Sequence, residues 1–410
     1  MTTTTRYILS DIPNFNDIIK CEDTFNNSQI LKLQSRTCNK SSYKVITYEK
    51  KQLTLELVSS YGLCRSVIVN SNNKVVGFAP PKSIKSDDFI EKYSENIHNV
   101  VAEEFIEGTM INVFWDDSIG LWQFSTRSTV GATSSFYKGK TPSTFKDMFL
   151  EAQEETKLDF SLLEKEYCYS FVLQHPKNRI VIPFKNPQLY LVAVYSIHND
   201  NDIITITVED SHKCKETFTS TSVKFPEIYE FIKYSDLIEK YASMDTPYNI
   251  VGVVLHNKVT GERSKIRNPV YEQVRNLRGN QPKLQYQYLC LRNQGKVGEF
   301  LQFFPENKKE LSEFRDQVHL FTNTLFSNYV SCYIKKERPL KEFSQDFRTH
   351  MFTIHQKFIN ELREKKLFVT NAFVQKYVNE LHPSLLMHCL NFQLRKTTID
   401  GLEREKEIDM

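Results

Sequence analysis

The stretch Val100–Asp116 reads VVAEEFIEGTMINVFWD and decides the fold of this chain. An apolar segment leads into a Glu-Gly-Thr corner, and a strongly β-prone segment that begins at Met110 follows it. The sequence therefore predicts two short strands that meet at Gly108. A glycine there can adopt backbone angles closed to other residues and lets a ligand approach the main chain. An ordinary hairpin turn would produce the same pattern.

Three later stretches accompany this corner. They are YSFVLQHPKNRIV at Tyr169–Val181, IVGVVLH at Ile250–His256 and SKIRNPVY at Ser264–Tyr271. In this order and at these separations, the four stretches resemble the motifs of the covalent nucleotidyltransferases. The resemblance is strongest to the phage-type RNA ligases that repair cleaved tRNA. It implies an α+β fold of antiparallel sheets with helices, followed by an all-α carboxy-terminal domain.

The first motif of that family is Lys-x-Asp-Gly, whose lysine forms a covalent adenylate with ATP. Aligning Gly108 with the motif glycine places Glu107 at the aspartate and Phe105 at the lysine. Phenylalanine has no nucleophilic atom. The resemblance therefore implies a family member without the residue that carries the adenylate.

Two further motifs also lack the functional residue of the family. Val172 and Val251 stand where the third and fourth motifs carry glutamates that orient the ribose and help to hold a metal ion. The fifth motif keeps its charge, because Lys265 and Arg267 occupy the positions of the family's phosphate-binding lysines. Arg65 matches an arginine that lies near the phosphates in the ligases. The predicted nucleotide-binding residues are thus Arg65, Glu107, Gly108, Lys265 and Arg267, with no catalytic residue and no metal ligand.

Three functions fit these residues. The first is a pseudoenzyme that has lost self-adenylation and binds RNA, nucleotide or a protein partner. The second is an active ATP-dependent RNA ligase that uses ATP, Mg²⁺ and a non-standard lysine such as Lys138 or Lys140; the loss of two acids would impair it. The third is a structural or assembly role in a virus particle. A large α/β domain with no kinship to the ligases would also contain valine-rich strands beside glycines.

Composition shifts divide the chain into four predicted parts. Residues 1–45 are polar and are predicted to form a peripheral amino-terminal cap, and residues 46–282 form the ligase-like domain. Residues 283–400 show apolar side chains at intervals of three and four, which predicts four or five helices. Residues 401–410 are predicted to be a frayed tail.

Bulk composition restricts the partners and the compartment. Fifty-three basic and 50 acidic residues nearly cancel, so any contact with tRNA or single-stranded RNA must come from a local patch. The eight cysteines include no Cys-x-x-Cys pair, which favours a reducing compartment over a zinc or disulfide framework. No long apolar segment occurs, so we expect a cytoplasmic or virion protein without a membrane span. The richness in Asn, Lys and Ile is typical of an AT-rich genome, such as that of a large DNA virus.

Overall fold

The computed structural model describes residues 5–21, 30–136 and 143–395. The chain divides into two compact units, Met1–Arg275 and Asn276–Met410. The first unit contains every described strand, and the second is helical. The expected α+β class, with antiparallel sheets and a helical carboxy-terminal region, is confirmed.

The strands of the first unit are short, and all of their ladders are antiparallel. Their bounds are β1 Arg6–Ile8, β2 Leu31–Cys38, β3 Ser41–Tyr48, β4 Val67–Val69, β5 Val75–Phe78, β6 Val100–Glu104, β7 Thr109–Asp116, β8 Leu121–Ser125, β9 Tyr167–Gln174, β10 Gln188–Asp200, β11 Ile203–Glu209, β12 Ile228–Tyr229, β13 Gly252–Asn257 and β14 Arg263–Arg267.

These strands form three sheets. The large sheet has the order β1-β11-β10-β9-β7-β8, the β13 sheet has the order β12-β6-β13-β14, and the β3 sheet has the order β2-β3-β4-β5. The chain passes from the β13 sheet to the large sheet at Gly108, between β6 and β7. The Gly108 corner is therefore a crossing between sheets, and the alternative of an ordinary hairpin turn is wrong.

The helices of the first unit, as far as it is described, lie in the connections between strands. Their bounds are α1 Phe15–Lys20, α2 Ser86–Lys92, α3 Phe145–Glu155, α4 Tyr234–Tyr241 and α5 Pro269–Arg278, whose last three residues fall in the second unit. Helix α3 begins with a capping box, in which the side chains of Thr144 and Asp147 each accept a hydrogen bond from the other residue's backbone N–H. Its buried residues are Met148, Phe149 and Ala152, as their helical spacing predicts.

The amino-terminal residues do not form the peripheral cap that their polar composition predicts. Leu9 and Phe15 are fully buried in the same core as strands β3, β4 and β5. Strand β2 and most of β3 also fall before residue 46, and they pair in the β3 sheet. Sparse apolar residues at the start of the chain thus complete a core that the rest of the unit supplies, which composition alone does not reveal.

The alternation of Leu53, Leu55 and Leu57 and the apolar run Ile180–Ile182 each predict a strand, and neither strand forms in the described residues. The alternating leucines at 53, 55 and 57 lie in a series of turns, where Leu55 is 58% exposed. Ile180–Ile182 forms a bend whose backbone donors bind a side chain of the first motif. Turns replace the ladder at the leucines, and the Glu107 carboxyl accepts the backbone donors at Val181 and Ile182.

The second unit is built from α-helices, six of which lie in the described residues. Their bounds are α6 Leu284–Asn293, α7 Val297–Phe303, α8 Lys308–Tyr329, α9 Gln345–Lys357, α10 Asn371–Glu380 and α11 Pro383–Leu390. The predicted number of four or five helices was too low, because α6 and α7 precede the strongly periodic segment. Through the three described ranges, no helix is both long enough and apolar enough to cross a membrane.

Candidate functional site

Phe105 lies directly after β6, on the face of the β13 sheet that carries two predicted phosphate-binding residues. Its backbone N–H donates to the carbonyl oxygen of Gly252 at 3.2 Å. The Lys265 ammonium nitrogen lies 4.4 Å from the centroid of the Phe105 ring, and the Arg267 guanidinium carbon lies 5.6 Å from it. The structure thus brings together the residue at the nucleophile position and both basic residues of the fifth motif.

Strand alternation explains this arrangement. On β14, Ile266 points into the core beside Val253 and Leu255, so its neighbours Lys265 and Arg267 point to the opposite face. In the ladder, Gly252 is opposite Arg267 and Val254 is opposite Lys265. The same alternation places Arg263 on the face of Lys265 and Arg267.

Glycine is required where two of the motif strands approach other backbone segments. Gly108 has φ +152°, and a Cβ there would lie 2.5 Å from the carbonyl oxygen of Leu173. Gly252 has φ +130°, and a Cβ there would collide with the carbonyl oxygen of Ile266. A side chain at either position would push β9 or β14 away.

Two more basic residues reach this face from the β3 sheet. Arg65 precedes β4 and Lys82 follows β5. The segment after β5 binds the edge of β14, because the Ile84 N–H donates to the Arg263 carbonyl oxygen at 3.0 Å and the Ser264 hydroxyl donates to the Ile84 carbonyl oxygen at 3.0 Å. We call the five residues brought together here the basic cluster: Arg65, Lys82, Arg263, Lys265 and Arg267.

Burial and neighbouring charges lower the pKa values of Lys265, Arg65 and Lys82 in the basic cluster. Burial, followed by the charges of the other four members, lowers the pKa of Lys265 to about 6. Burial, followed by Arg263, lowers the pKa of Arg65 to about 10. The positive charges therefore lie close enough together, and far enough from water, to destabilise one another.

Acidic groups compensate only part of this charge. Arg267 forms an ion pair with Glu272 at 2.6 Å. Within the described residues, no ion pair involves the side chain of Arg65, Arg263 or Lys265. Arg263 is 8% exposed, and its Nε is buried without a hydrogen-bond partner. Buried cations without a counter-charge are costly, so this arrangement suits an anionic ligand.

Glu107 has a different environment from the basic cluster. It is 4% exposed, and its Oε1 accepts hydrogen bonds from the backbone N–H groups of Val181 at 3.1 Å and Ile182 at 3.0 Å. Burial raises the pKa of Glu107, although these two donors oppose the shift. The carboxyl at the predicted nucleotide-binding position thus holds the bend that follows β9.

Further hydrogen bonds fasten this bend to the Gly108 corner. The Gln174 side chain donates to the Glu107 carbonyl oxygen at 3.0 Å, and the Asn178 side chain donates to the Thr109 hydroxyl at 2.8 Å. His175 accepts the Lys177 N–H and contacts Glu151 at 3.0 Å, as expected of a turn residue with satisfied nitrogens. The segment Pro176–Arg179, which matches a Pro-x-Asn-Arg sequence in the ligases, therefore helps to hold the bend after β9 against the first motif.

The positions of the family's two glutamates are apolar and buried. Val172 is 6% exposed and packs beside Gly108, and Val251 is 5% exposed. Among the described residues, no group of three or more His, Cys, Asp or Glu side chains could hold a metal ion. Lys138 and Lys140, the non-standard lysines considered from sequence, lie outside the described residues.

One acidic group shares the face of the basic cluster and was missed from sequence. Glu103 lies two residues before Phe105 on β6, and its carboxyl contacts Nε2 of His256 at 3.3 Å and Nε2 of His212 at 3.7 Å. Burial opposes ionisation of Glu103, but the two histidines hold the pKa of this carboxyl well below its usual range. Arg263 lies two residues before Lys265 on β14, so strand alternation alone predicts that the two side chains share a face. The contacts of Glu103 depend on how the strands pair across the sheet, which the sequence does not show.

Comparisons with known proteins agree with the sequence motifs. No model of a protein family matches the chain. An immediate-early protein ICP-46 homolog of Invertebrate iridescent virus 6 is 26% identical over 313 residues, which cover 69% of this chain and 65% of that protein. An RNA ligase of Rhodothermus phage RM378 is 21% identical over 287 residues, which cover 62% of this chain and 64% of the ligase. The chain thus spans just under two thirds of the length of these relatives.

Solved structures that match the chain include RNA ligases and a putative DNA ligase. An archaeal ATP-dependent RNA ligase is 12% identical, with a TM-score of 0.40 and coverage of 70% of each chain. An RNA ligase of Naegleria gruberi, solved with ATP and manganese, is 12% identical, with a TM-score of 0.34 and coverage of 59% of this chain and 76% of the other. The viral and phage relatives confirm the resemblance to RNA-ligase-like nucleotidyltransferases and agree with an origin in a large DNA virus.

Proposed function

We propose that this chain is an RNA-ligase-like protein that binds the phosphate groups of a nucleotide or of RNA in the basic cluster and has lost self-adenylation. The observation that carries the proposal is the set of basic side chains gathered beside Phe105, of which Arg65, Arg263 and Lys265 form no ion pair within the described residues and Arg263 is buried. A bound phosphate would supply the missing negative charge, and guanidinium groups bind phosphate through paired hydrogen bonds.

Loss of self-adenylation is supported by four positions. A lysyl-adenylate needs an amine at residue 105, and Phe105 offers only a ring. The buried valines at 172 and 251 supply no oxygen to orient a ribose or to bind a metal ion. Glu107, the acid that remains in the first motif, is engaged by the backbone of the bend after β9. The geometry favours binding over catalysis.

RNA is one of two ligands that this chemistry suits. Local positive charge, rather than net charge, must attract a polyanion, since basic and acidic residues nearly balance over the chain. The phage relative is an RNA ligase, which supports RNA as the partner. We also propose that the chain acts in the host cytoplasm or the virion, alone or with other viral proteins; its similarity to a viral protein agrees with a viral origin.

Incubation with α-labelled ATP and manganese tests the loss of self-adenylation. We expect no covalently labelled protein, because no amine stands at the first motif. A triple variant with Phe105→Lys, Val172→Glu and Val251→Glu is the matched gain-of-function control, and its folding is checked by circular dichroism. A labelled band from the natural chain would overturn the proposed loss.

A gel-shift titration with single-stranded RNA tests the binding function. We expect the Lys265→Ala, Arg267→Ala double variant to shift the RNA only at higher protein concentration. Affinity should also fall as salt rises, since phosphate contacts release counterions. Equal binding by the natural chain and the double variant would contradict a phosphate site in the basic cluster.

A further inference from the structure

Lys265 is the more buried of the two lysines in the basic cluster, since Lys82 is exposed. Its nitrogen lies against the Phe105 ring at 4.4 Å, and within the described residues no acidic side chain forms an ion pair with it. Arg263 and Arg267 flank it on β14, and Arg65 and Lys82 approach from the β3 sheet. Arginine stays protonated in such surroundings, whereas a lysine can release its proton.

The remaining charged groups on this face do not offset the repulsion. Glu103 is separated from Lys265 in the ladder by Val254, which pairs with both residues. The Glu103 carboxyl is engaged by His256 and His212, and Glu272 pairs with Arg267. The face packed around the Lys265 amine thus presents four cations and an aromatic ring.

We infer that Lys265 is neutral when no anion is bound and takes up a proton when a phosphate group enters the basic cluster. The inference rests on the proposed function and adds a regulatory property to the same site. A phosphate group brings negative charge close to the amine and reverses the sign of its electrostatic environment. The low pKa of about 6 agrees with a neutral amine in the unbound protein at physiological pH.

Proton uptake makes phosphate affinity depend on pH. Below pH 6 the amine is already charged, so binding changes no protonation there. Above pH 6 each binding event must also protonate Lys265, and affinity falls by up to about tenfold per pH unit. The site therefore holds RNA or nucleotide more tightly as the compartment becomes more acidic.

Isothermal titration calorimetry measures this coupling directly. The natural chain is titrated at pH 7.5 with a 5′-hydroxyl hexauridylate, whose phosphodiesters do not titrate, and separately with ATP. Each titration is run in two buffers of different ionisation enthalpy, which gives the number of protons taken up. The matched variant is Lys265→Arg, which keeps a phosphate-binding cation but cannot lose its charge.

We expect the natural chain to take up close to one proton more than Lys265→Arg, because the contributions of the ligand and of the two histidines are common to both. The affinity of Lys265→Arg should also change less between pH 6.5 and 8.5. Equal proton uptake by the two proteins would overturn the inference while leaving the phosphate site intact. Absence of binding to both ligands would refute the proposed function and the coupling with it.

Discussion

Replacement of Glu107 by alanine separates a structural role from a ligand-binding role at the first motif. The change removes one buried hydrogen bond, from the Val181 N–H at 3.1 Å, and one partly buried hydrogen bond, from the Ile182 N–H at 3.0 Å. A hydrogen bond to a charged acceptor contributes about 1.5–3 kcal/mol, and both donors would be left without a protein partner. Because relief of carboxyl burial offsets part of the loss, we expect Glu107→Ala to lower the free energy of unfolding by about 3–5 kcal/mol.

Urea unfolding followed by tryptophan fluorescence suits this measurement. The two tryptophans, Trp115 and Trp122, lie on β7 and β8, so their signal reports on the first unit. Glu107→Gln keeps an acceptor oxygen and should lose only about 1–2 kcal/mol. Glu91→Ala, on the exposed side of α2, is the control and should change stability by less than about 0.5 kcal/mol. If Glu107→Ala kept its stability and lost affinity for ATP or RNA instead, the structural role would be refuted.

Two further predictions concern backbone approach and buried charge. Gly252→Ala should lower the melting temperature strongly in differential scanning calorimetry, because the new Cβ would collide with the Ile266 carbonyl oxygen. A melting temperature within about 2 °C of the natural chain would show that β14 can move aside. Lys265→Met should raise the free energy of unfolding by about 1–3 kcal/mol at pH 7. Between about pH 10 and pH 6 the lysine binds a proton in the unfolded chain but not in the folded one, so the natural chain loses stability as the pH falls through this range. Methionine binds no proton and avoids this loss. Denaturation at pH 7 and at pH 10 checks this sign, and an advantage that did not shrink at pH 10 would contradict it.

Much of the fold follows from local sequence patterns. Alternation about Ile266 predicts that Lys265 and Arg267 share a face, and the apolar spacing of 145–152 predicts a helix; β14 and α3 have these arrangements. Patterns failed where a segment finds its partners far away in the chain. Leu9 and Phe15 complete a core supplied by later strands, and Ile180–Ile182 gives its backbone donors to Glu107 rather than to a ladder.

The site was predictable only in part. The motifs placed Phe105, Lys265 and Arg267 at related positions, and the structure brings the three side chains together. Sequence could not show that the Glu107 carboxyl is occupied by two backbone donors, since that depends on the bend after β9. Nor could it show that Arg263 is buried without an acidic partner, because burial of a charged side chain depends on the packing of two sheets.

Binding of a phosphate ligand by the two unpaired arginines tests the central claim most directly. Fluorescence anisotropy of a labelled single-stranded RNA, with unlabelled ATP as competitor, compares the natural chain with an Arg65→Met, Arg263→Met double variant. Arg315→Met, which removes an exposed arginine paired with Asp316, is the control for loss of charge elsewhere. We expect the double variant to bind at least about tenfold more weakly than the natural chain and the control to bind normally. Unchanged affinity in the double variant would contradict a phosphate site in the basic cluster.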